Sequence, residues 1–192
     1  EIFNRFGYFL RKESTLLKQQ SNFVNEMENQ PPKLSSRQKY DQIYIASTAY
    51  GEGVFAATAL KTKQPVGRIK GTIQLPGYRS DYCMSFGDGA IEPEKPYRLV
   101  NHSCDPNCEL IEWEITNEET NEKVYELWLH TLRQIAKDEQ LTIDYGWDWQ
   151  AAIPCLCGSP QCRGWICKTD ELDICIRERG RGSLESKSIE TK

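Results

Sequence analysis

Three cysteines in the last quarter of the sequence have the spacing of a metal-binding loop. Cys155, Cys157 and Cys162 form the pattern C-x-C-x4-C within the run IPCLCGSPQCRGW. Cys155 and Cys157 are too close in sequence to form a relaxed disulfide with each other, and the Gly and Pro before Cys162 allow a turn that aims several sulfurs at one point. The pattern therefore predicts a zinc loop, with disulfides or free thiols as the alternatives. A closed tetrahedral site needs a fourth ligand, and the other five cysteines are all candidates.

Three other short segments carry residues that could bind a ligand or take part in a reaction. Gly51 and Gly53 form a G-x-G pair, which permits either a simple turn or a close approach of the backbone to a ligand. Asn101 and His102 precede the turn-forming SCDPN, so their side chains can project into a cleft, although a lone histidine is more often structural. Asp144 and Tyr145 of LTIDYGW (141–147) follow a short strand and could also take part in a site, but an Asx turn with a partly buried tyrosine explains them without any chemical role.

Several catalytic classes lack their residues in this chain. The sequence contains two histidines and has no G-x-S-x-G, no P-loop and no H-E-x-x-H motif. Serine hydrolases of that type, P-loop NTPases and zincins are therefore excluded. A zinc ion held by four thiolates has no open position for water, so the predicted zinc is structural rather than catalytic.

The elements that must position these segments are mainly short strands. Apolar residues at near-helical spacing predict a helix over Ile2 to Met27, which Pro31 and Pro32 end, and a linker follows at 35–40. Beyond it come short β-type runs separated by turn residues: QIYIAS, GVFAAT, VGRIKGTI, DYCMSF, CELIEWEI and KVYELWLHTL. The last two runs form the clearest hairpin. The run after Cys175 has little to bury, which predicts disorder.

Composition and charge are those of a globular chain. The 192 residues are 39% hydrophobic and 27% charged, which excludes collagen-like and fully disordered classes. The net charge of −4 argues against general nucleic-acid binding, whereas the twelve acidic and three basic residues of 81–126 favour a basic partner. A solvated hairpin tip explains the acidic run at 118–126 equally well. The longest apolar run, at 53–60, is too short to span a membrane, and the amino terminus does not resemble a secretory signal, although the missing initiator Met leaves a removed leader open.

The order and spelling of these segments resemble a known family. G-x-G, NHSCDPN, LTIDY and C-x-C-x4-C-R-G follow one another as in the SET-domain protein lysine methyltransferases with a post-SET zinc loop, over Ile43 to Ile166. The resemblance implies a mainly β, β-clip-like fold of several small sheets, with a knot-like active site where the NHS segment lies beside the LTIDY segment. With the predicted amino-terminal α-helix, the chain divides into a helical segment and linker (1–40), a SET domain (41–149), a post-SET zinc loop (150–168) and a partly disordered tail (169–192).

The resemblance also implies roles for particular residues. Tyr145 matches the family's essential catalytic tyrosine. Cys104 of NHSC would complete one structural zinc site with the three cysteines of the loop. S-adenosylmethionine would be bound by the backbone of the G-x-G turn, by Asn101 and His102 and by residues that border them, among which Tyr82 would also border the lysine channel. The cofactor-binding residues implied in this way are Tyr50, Gly51, Glu52, Gly53, Tyr82, Arg98, Asn101, His102, Tyr145, Trp165 and Ile166.

The implied activity is S-adenosylmethionine-dependent N-methylation of lysine in histone tails or another basic peptide segment. Methyl transfer requires a neutral amine, whereas the unperturbed pKa of lysine is about 10.4, so a narrow aromatic channel that excludes water would favour deprotonation. Tyr145 would orient this amine with its hydroxyl. The alternatives are a catalytically inactive SET-like module that binds a peptide or partner, and a zinc-stapled structural protein.

The sequence departs from the family pattern at three places. No cysteine-rich pre-SET cluster precedes Ile43, so the predicted helix would cover that side. Only about ten residues separate Gly71 from Tyr82, where many relatives carry a long insert that helps to clamp the substrate. Ile143 lies two residues before Tyr145, where family members use Phe or Tyr to limit the number of methyl groups added. We therefore expect di- or trimethylation.

Four cysteines lie outside the implied zinc site. Cys83 and Cys108 lie in strand patterns and are expected to be core thiols, whereas Cys167 and Cys175 have no assignment. The resemblance implies a nuclear or chromatin location for a eukaryotic protein, and a cytoplasmic or host-delivered one for a microbial protein. Neither direct reading of nucleic acid nor membrane binding is expected. The oligomeric state stays open, because the predicted helix could pack on its own domain or on a second copy.

Overall fold

The computed structural model of the chain describes residues 42–116 and 121–180. The predicted amino-terminal helix and linker lie outside the described residues, as do residues 181–192. The strands are β1 Ile43–Thr48, β2 Gly51–Ala56, β3 Pro65–Arg68, β4 Gly71–Gln74, β5 Met84–Phe86, β6 Gly89–Pro93, β7 Asn101–His102, β8 Cys108–Thr116, β9 Lys123–Thr131, β10 Thr142–Ile143, β11 Ile153–Pro154 and β12 Trp165–Ile166. Short 3₁₀ helices occupy Tyr97–Leu99, Trp149–Ala151 and Thr169–Glu171, and the α-helix α1 spans Leu172–Arg179.

The strands of the described residues form five small sheets. Two are three-stranded, in the orders β3-β9-β8 and β4-β6-β5, and three are two-stranded, pairing β1 with β2, β7 with β10, and β11 with β12. The predicted mainly β fold of several small sheets is confirmed. The β8–β9 hairpin forms as its alternating pattern indicates, with Trp113 and Ile115 half-buried and their neighbours Glu112, Glu114 and Thr116 exposed.

One apolar core lies beneath the larger sheets. Val54, Leu129 and Leu141 are completely buried within it. Full burial of such a side chain stabilises the fold by about 1.5–3 kcal/mol, so these residues join β2, β9 and the segment that leads into β10. Cys108 is buried in this core, as predicted. The prediction for Cys83 is wrong, because β5 begins only at Met84 and leaves Cys83 half-buried in the preceding turn.

The only parallel strand pair of the described residues brings two distant motifs together. In the pairing of β7 with β10, Asn101 lies opposite Thr142 and His102 opposite Ile143. The Ser103 N–H donates to the Ile143 carbonyl at 3.0 Å, which extends the contact by one residue. The predicted position of NHS beside LTIDY is therefore what the structure shows.

The tail is ordered further than the sequence indicates. Helix α1 continues to Arg179, so the prediction of disorder directly after Cys175 is wrong. Cys175 is completely buried in a second, smaller cluster with Ala152, Trp165 and Cys167, which explains why the segment folds back. The Arg179 guanidinium donates to the Ala152 carbonyl at 2.6 Å and secures the end of the helix. Among the described residues, no helix combines the length and the apolar character that crossing a bilayer requires.

Candidate active site and cysteine cluster

Tyr145 is held in place by contacts to the β7 segment. Its backbone N–H donates to Nδ1 of His102 at 3.2 Å, and its hydroxyl donates to the carbonyl of Val100 at 3.0 Å. The ring lies 5.4 Å from the His102 ring on one side and 5.4 Å from the Trp147 ring on another. Burial, with a smaller electrostatic contribution from Tyr82, raises the pKa of Tyr145 to about 12. The hydroxyl is therefore protonated and neutral at physiological pH.

His102 joins Tyr145 to the cysteines. Its side chain is buried, and this burial lowers the pKa of His102 to about 4, so the imidazole is neutral. Because Nδ1 accepts the hydrogen bond from Tyr145, we assign the ring proton to Nε2. That nitrogen lies 3.4 Å from Sγ of Cys104 and donates to it.

The structure gathers four cysteine sulfurs at one point. Those of Cys104, Cys155, Cys157 and Cys162 all lie within 4.8 Å of one another, and the Cys104 and Cys155 sulfurs are 3.6 Å apart. Four sulfurs each about 2.3 Å from a tetrahedral zinc would be separated by about 3.8 Å. The donor set and its spacing thus fit a closed zinc site. Of the five cysteines that were candidates for the fourth ligand, Cys104 is the one that the fold places beside the three cysteines of the loop.

The sequence analysis missed Arg163, which lies directly after Cys162. Its guanidinium donates to both carboxylate oxygens of Asp144. Burial alone would raise the pKa of Asp144, but the hydrogen bond and charge of Arg163 lower it below its ordinary value. Asp144 also accepts the Gly146 N–H at 3.2 Å, which is the Asx turn that the sequence indicates. The CRG spelling was the available signal for Arg163, but it did not identify its partner.

The G-x-G turn meets Asn101. Gly51 has a φ of +119° in the tight β1–β2 connection, which favours glycine. A Cβ on Gly53 would lie 2.6 Å from the amide nitrogen of Gln140 and 3.1 Å from that of Asn101. The turn predicted for this pair is present at Gly51, and Gly53 packs against side chains of the protein itself; the close approach to a ligand stays a prediction. Nδ2 of Asn101 donates to the Glu52 carbonyl at 3.1 Å. Tyr50, at the hairpin tip, is 75% exposed.

Tyr82 and Arg98 contact each other beside this site. The Arg98 guanidinium carbon lies 3.8 Å from the centre of the Tyr82 ring, a cation–π contact, and Arg98 also forms an ion pair with Glu92. Arg98 is thereby directed to Tyr82 and Glu92, and its predicted cofactor contact stays a prediction.

Trp165 and Ile166 lie in β12, opposite β11. The Trp165 indole is buried in the small tail cluster and donates to the Gly180 carbonyl at 3.0 Å, which gives it a packing role. Ile166 is half-buried. The predicted contact of both residues with a cofactor stays a prediction.

Comparisons with known proteins agree with this geometry. The family model described as the SET domain matches residues 51–146, half of the chain. Histone-lysine N-methyltransferase 2D of Homo sapiens is 39% identical over 164 residues, which cover 75% of this chain and 3% of that protein. The H3 lysine-4 specific histone-lysine N-methyltransferase of Saccharomyces cerevisiae is 36% identical over 131 residues, covering 64% of this chain and 12% of that protein. The chain spans only a small part of the relatives it matches.

A solved structure shares the fold. KRYPTONITE, in a complex described as containing mCHG DNA and SAH, superposes with a TM-score of 0.54 at 21% identity, covering 62% of this chain and 27% of that one. At this level of identity the likeness concerns the fold alone.

Proposed function

The chain belongs to the SET-domain family, and on that premise we propose that it is an S-adenosylmethionine-dependent protein lysine N-methyltransferase. The observation that carries the proposal is the convergence of Tyr145, the Asn101–His102 pair and the G-x-G turn around the β7–β10 pairing. The relatives are named histone-lysine N-methyltransferases, and the structural neighbour was solved with SAH, which supports both the reaction and the cofactor.

The chain's own residues account for how the amine would be oriented. When bound, S-adenosylmethionine supplies an electrophilic methyl group on a sulfonium. The Tyr145 hydroxyl donates its hydrogen bond to the Val100 carbonyl, so its oxygen can accept a hydrogen bond from the amine of a substrate lysine. This directs the nitrogen lone pair toward the methyl carbon. The rings of Tyr145 and Trp147, whose centres are 5.4 Å apart, would line a channel that excludes water and so favours the neutral amine, with the partly exposed Tyr82 at its border.

The cofactor would lie against the G-x-G turn. Gly53 packs closely against the side chains of Gln140 and Asn101, so only a residue without a Cβ fits at this point of the turn. Asn101 already donates its amide N–H to the Glu52 carbonyl, and its amide oxygen can accept from the amino group of the cofactor. The other residues proposed to bind it are Tyr50, Gly51, Glu52, Tyr82, Arg98, His102, Tyr145, Trp165 and Ile166.

One structural zinc would be bound by Cys104 with the three cysteines of the loop. It would join the post-SET segment to the β7 segment, close to Tyr145. The proposed substrate is a histone tail or another basic peptide, in keeping with the relatives' names and with the acidic balance of residues 81–126. The proposed location is nuclear or chromatin-associated for a eukaryotic protein, and cytoplasmic or host-delivered for a microbial one.

Cofactor binding and methyl transfer, measured on the same preparation, test the proposal. We expect saturable binding of S-adenosylmethionine by calorimetry and transfer of labelled methyl groups to core histones. Tyr145→Phe should retain cofactor and zinc but lose methyl transfer by about 100-fold or more, because it removes the group that orients the amine. Tyr44→Phe, an exposed tyrosine on β1, is the matched control. A wild-type protein that binds peptide without transferring methyl groups would instead support an inactive binding module.

A further inference from the structure

The short insert (residues 75–83) between β4 and β5 carries Tyr82 and has no regular secondary structure. By the family resemblance it stands where many relatives carry a long insert, so its few residues must be held by other means. Leu75 at its start is 82% exposed and contributes little packing. The position of Tyr82 therefore depends on polar contacts to the rest of the fold.

These contacts converge on one carboxylate, that of Glu92 on β6. Its Oε2 accepts hydrogen bonds from the hydroxyls of Ser80 and Tyr78, the latter at 3.3 Å, and its Oε1 pairs with Arg98. The Ser80 hydrogen bond, together with Arg98, lowers the pKa of Glu92, so the carboxylate is charged at neutral pH. One oxygen of the Glu92 carboxylate thus binds the short insert, and the other binds Arg98.

The first connection to Tyr82 runs through Ser80. The Ser80 oxygen accepts hydrogen bonds from the backbone N–H of Tyr82 at 3.2 Å and from that of Cys83 at 2.9 Å. The Ser80 hydroxyl itself donates a hydrogen bond to the Glu92 carboxylate. A hydroxyl has one proton and two acceptor positions, so all of its capacity is used. Loss of the carboxylate would free this hydroxyl to rotate away from the turn.

The second connection runs through Arg98. Glu92 holds the guanidinium over the face of the Tyr82 ring, 3.8 Å from its centre. The backbone of Tyr82 is therefore set by Ser80 and its ring by Arg98, and both depend on the same carboxylate. Tyr82 also makes a small electrostatic contribution to the raised pKa of Tyr145.

We propose that Glu92 is a positioning residue for methyl transfer, which holds Tyr82 in place through Ser80 and Arg98 and so substitutes for the long insert that many relatives carry. The inference rests on the proposed function, since it assigns Tyr82 to the lysine channel. The role is proposed for Glu92 and not for Glu94, which lies two residues further along the chain and has an exposed carboxylate.

Kinetics of Glu92→Gln and Glu92→Ala test this role, with Glu94→Gln as the matched control. We expect kcat for a histone peptide to fall by about 10- to 100-fold, the effect of a misplacement of about 1 Å. The dissociation constant of S-adenosylmethionine should rise by a smaller factor, because Tyr82 and Arg98 are only two of the residues proposed to contact the cofactor. Because Glu92 acts through Tyr82, adding Glu92→Gln to Tyr82→Ala should cause no further loss. Wild-type kcat in both Glu92 variants, or losses that add in the double variant, would overturn the proposal. Glu92→Gln keeps the side-chain shape and serves if Glu92→Ala does not fold.

A second readout does not depend on activity. The Cys83 sulfur lies 3.4 Å from the Ser80 N–H and 3.3 Å from its carbonyl, within the same turn. Alkylation of Cys83, followed by peptide mass spectrometry, should be several-fold faster in the Glu92 variants than in Glu94→Gln. An unchanged alkylation rate would contradict the role of Glu92 in holding the insert. If the wild-type protein shows no methyl transfer but alkylation accelerates, the proposed function fails while the holding role of Glu92 stands.

Discussion

Arg163 and Asp144 form a bidentate ion pair, in which two guanidinium nitrogens lie 2.6 and 2.8 Å from the two carboxylate oxygens. Arg163 belongs to the cysteine loop, and its backbone N–H lies 3.4 Å from the Cys104 sulfur. Asp144 immediately precedes Tyr145. The same guanidinium donates to the Cys167 carbonyl at 3.1 Å, so one side chain connects the loop, the tail and the segment that carries Tyr145.

Replacing Arg163 by Lys should weaken these connections, because an ammonium cannot make two parallel hydrogen bonds to one carboxylate. We expect the free energy of unfolding to fall by about 1.5–3 kcal/mol, the value of a hydrogen bond to a charged group. Methyl transfer should fall as well, since Asp144 loses its partner beside Tyr145. Denaturant unfolding and peptide kinetics measure the two effects. Arg177→Lys, on the exposed face of α1, is the control, and equal behaviour of the two variants would contradict the prediction.

Asn107 forms a polar connection between the NHSCDPN segment and the residues around LTIDY. It is almost completely buried, donates to the Gln140 carbonyl at 2.8 Å and accepts the Thr142 N–H at 2.8 Å. Asn107→Ala would leave both backbone groups unsatisfied, at a cost of about 1–3 kcal/mol for each. Urea unfolding should show a lower midpoint with an unchanged slope. The exposed Lys137→Ala should unfold as the wild type does, and a stable Asn107→Ala protein would show that β7 and β10 are held by other contacts.

Zinc removal tests the cysteine cluster. We expect one zinc per chain by mass spectrometry of the metal content, and a lower melting temperature after treatment with a strong chelator. Cys162→Ser should lose the metal, because a hydroxyl does not replace a thiolate ligand. Cys83→Ser, outside the cluster, should retain it. Disulfides among the four cysteines in freshly purified protein, without metal, would reject the site.

The pH dependence of methyl transfer should follow the substrate rather than Tyr145. Because the pKa of Tyr145 is raised to about 12, its hydroxyl keeps its proton over pH 7–9.5, whereas deprotonation of a lysine with a pKa of about 10.4 increases over that range. The value of kcat/KM should therefore rise throughout. A falling limb below pH 9.5 in a protein that stays folded would contradict this assignment.

The same shift affects stability at high pH. A tyrosine of the unfolded chain ionises near pH 10, about two units below Tyr145 in the folded protein. Its contribution to stability is therefore complete below pH 10 and is lost as the pH rises toward 12. Thermal unfolding at pH 9, 10 and 11 should show this loss. It should be smaller in Tyr145→Phe, which has no ionisable hydroxyl there.

Local patterns in the sequence were sufficient for the hairpin, for the cysteine loop and for the order of motifs that resembles the SET family. Alternation in CELIEWEIT and close cysteine spacing express constraints that act between neighbours in the chain, so they can be read without coordinates. The choice of Cys104 came from the family resemblance, since spacing alone left five cysteines open.

Tertiary structure alone decided the contacts that join distant segments. Nothing near Arg163 in the sequence points to Asp144, and nothing near Glu92 points to Ser80 or Tyr82, because an ion pair or a hydrogen bond depends on which segments the core brings together. The order of the tail has the same origin. Its few apolar residues cannot stabilise a helix by themselves, but burial of Cys175 against Trp165 supplies the missing contact.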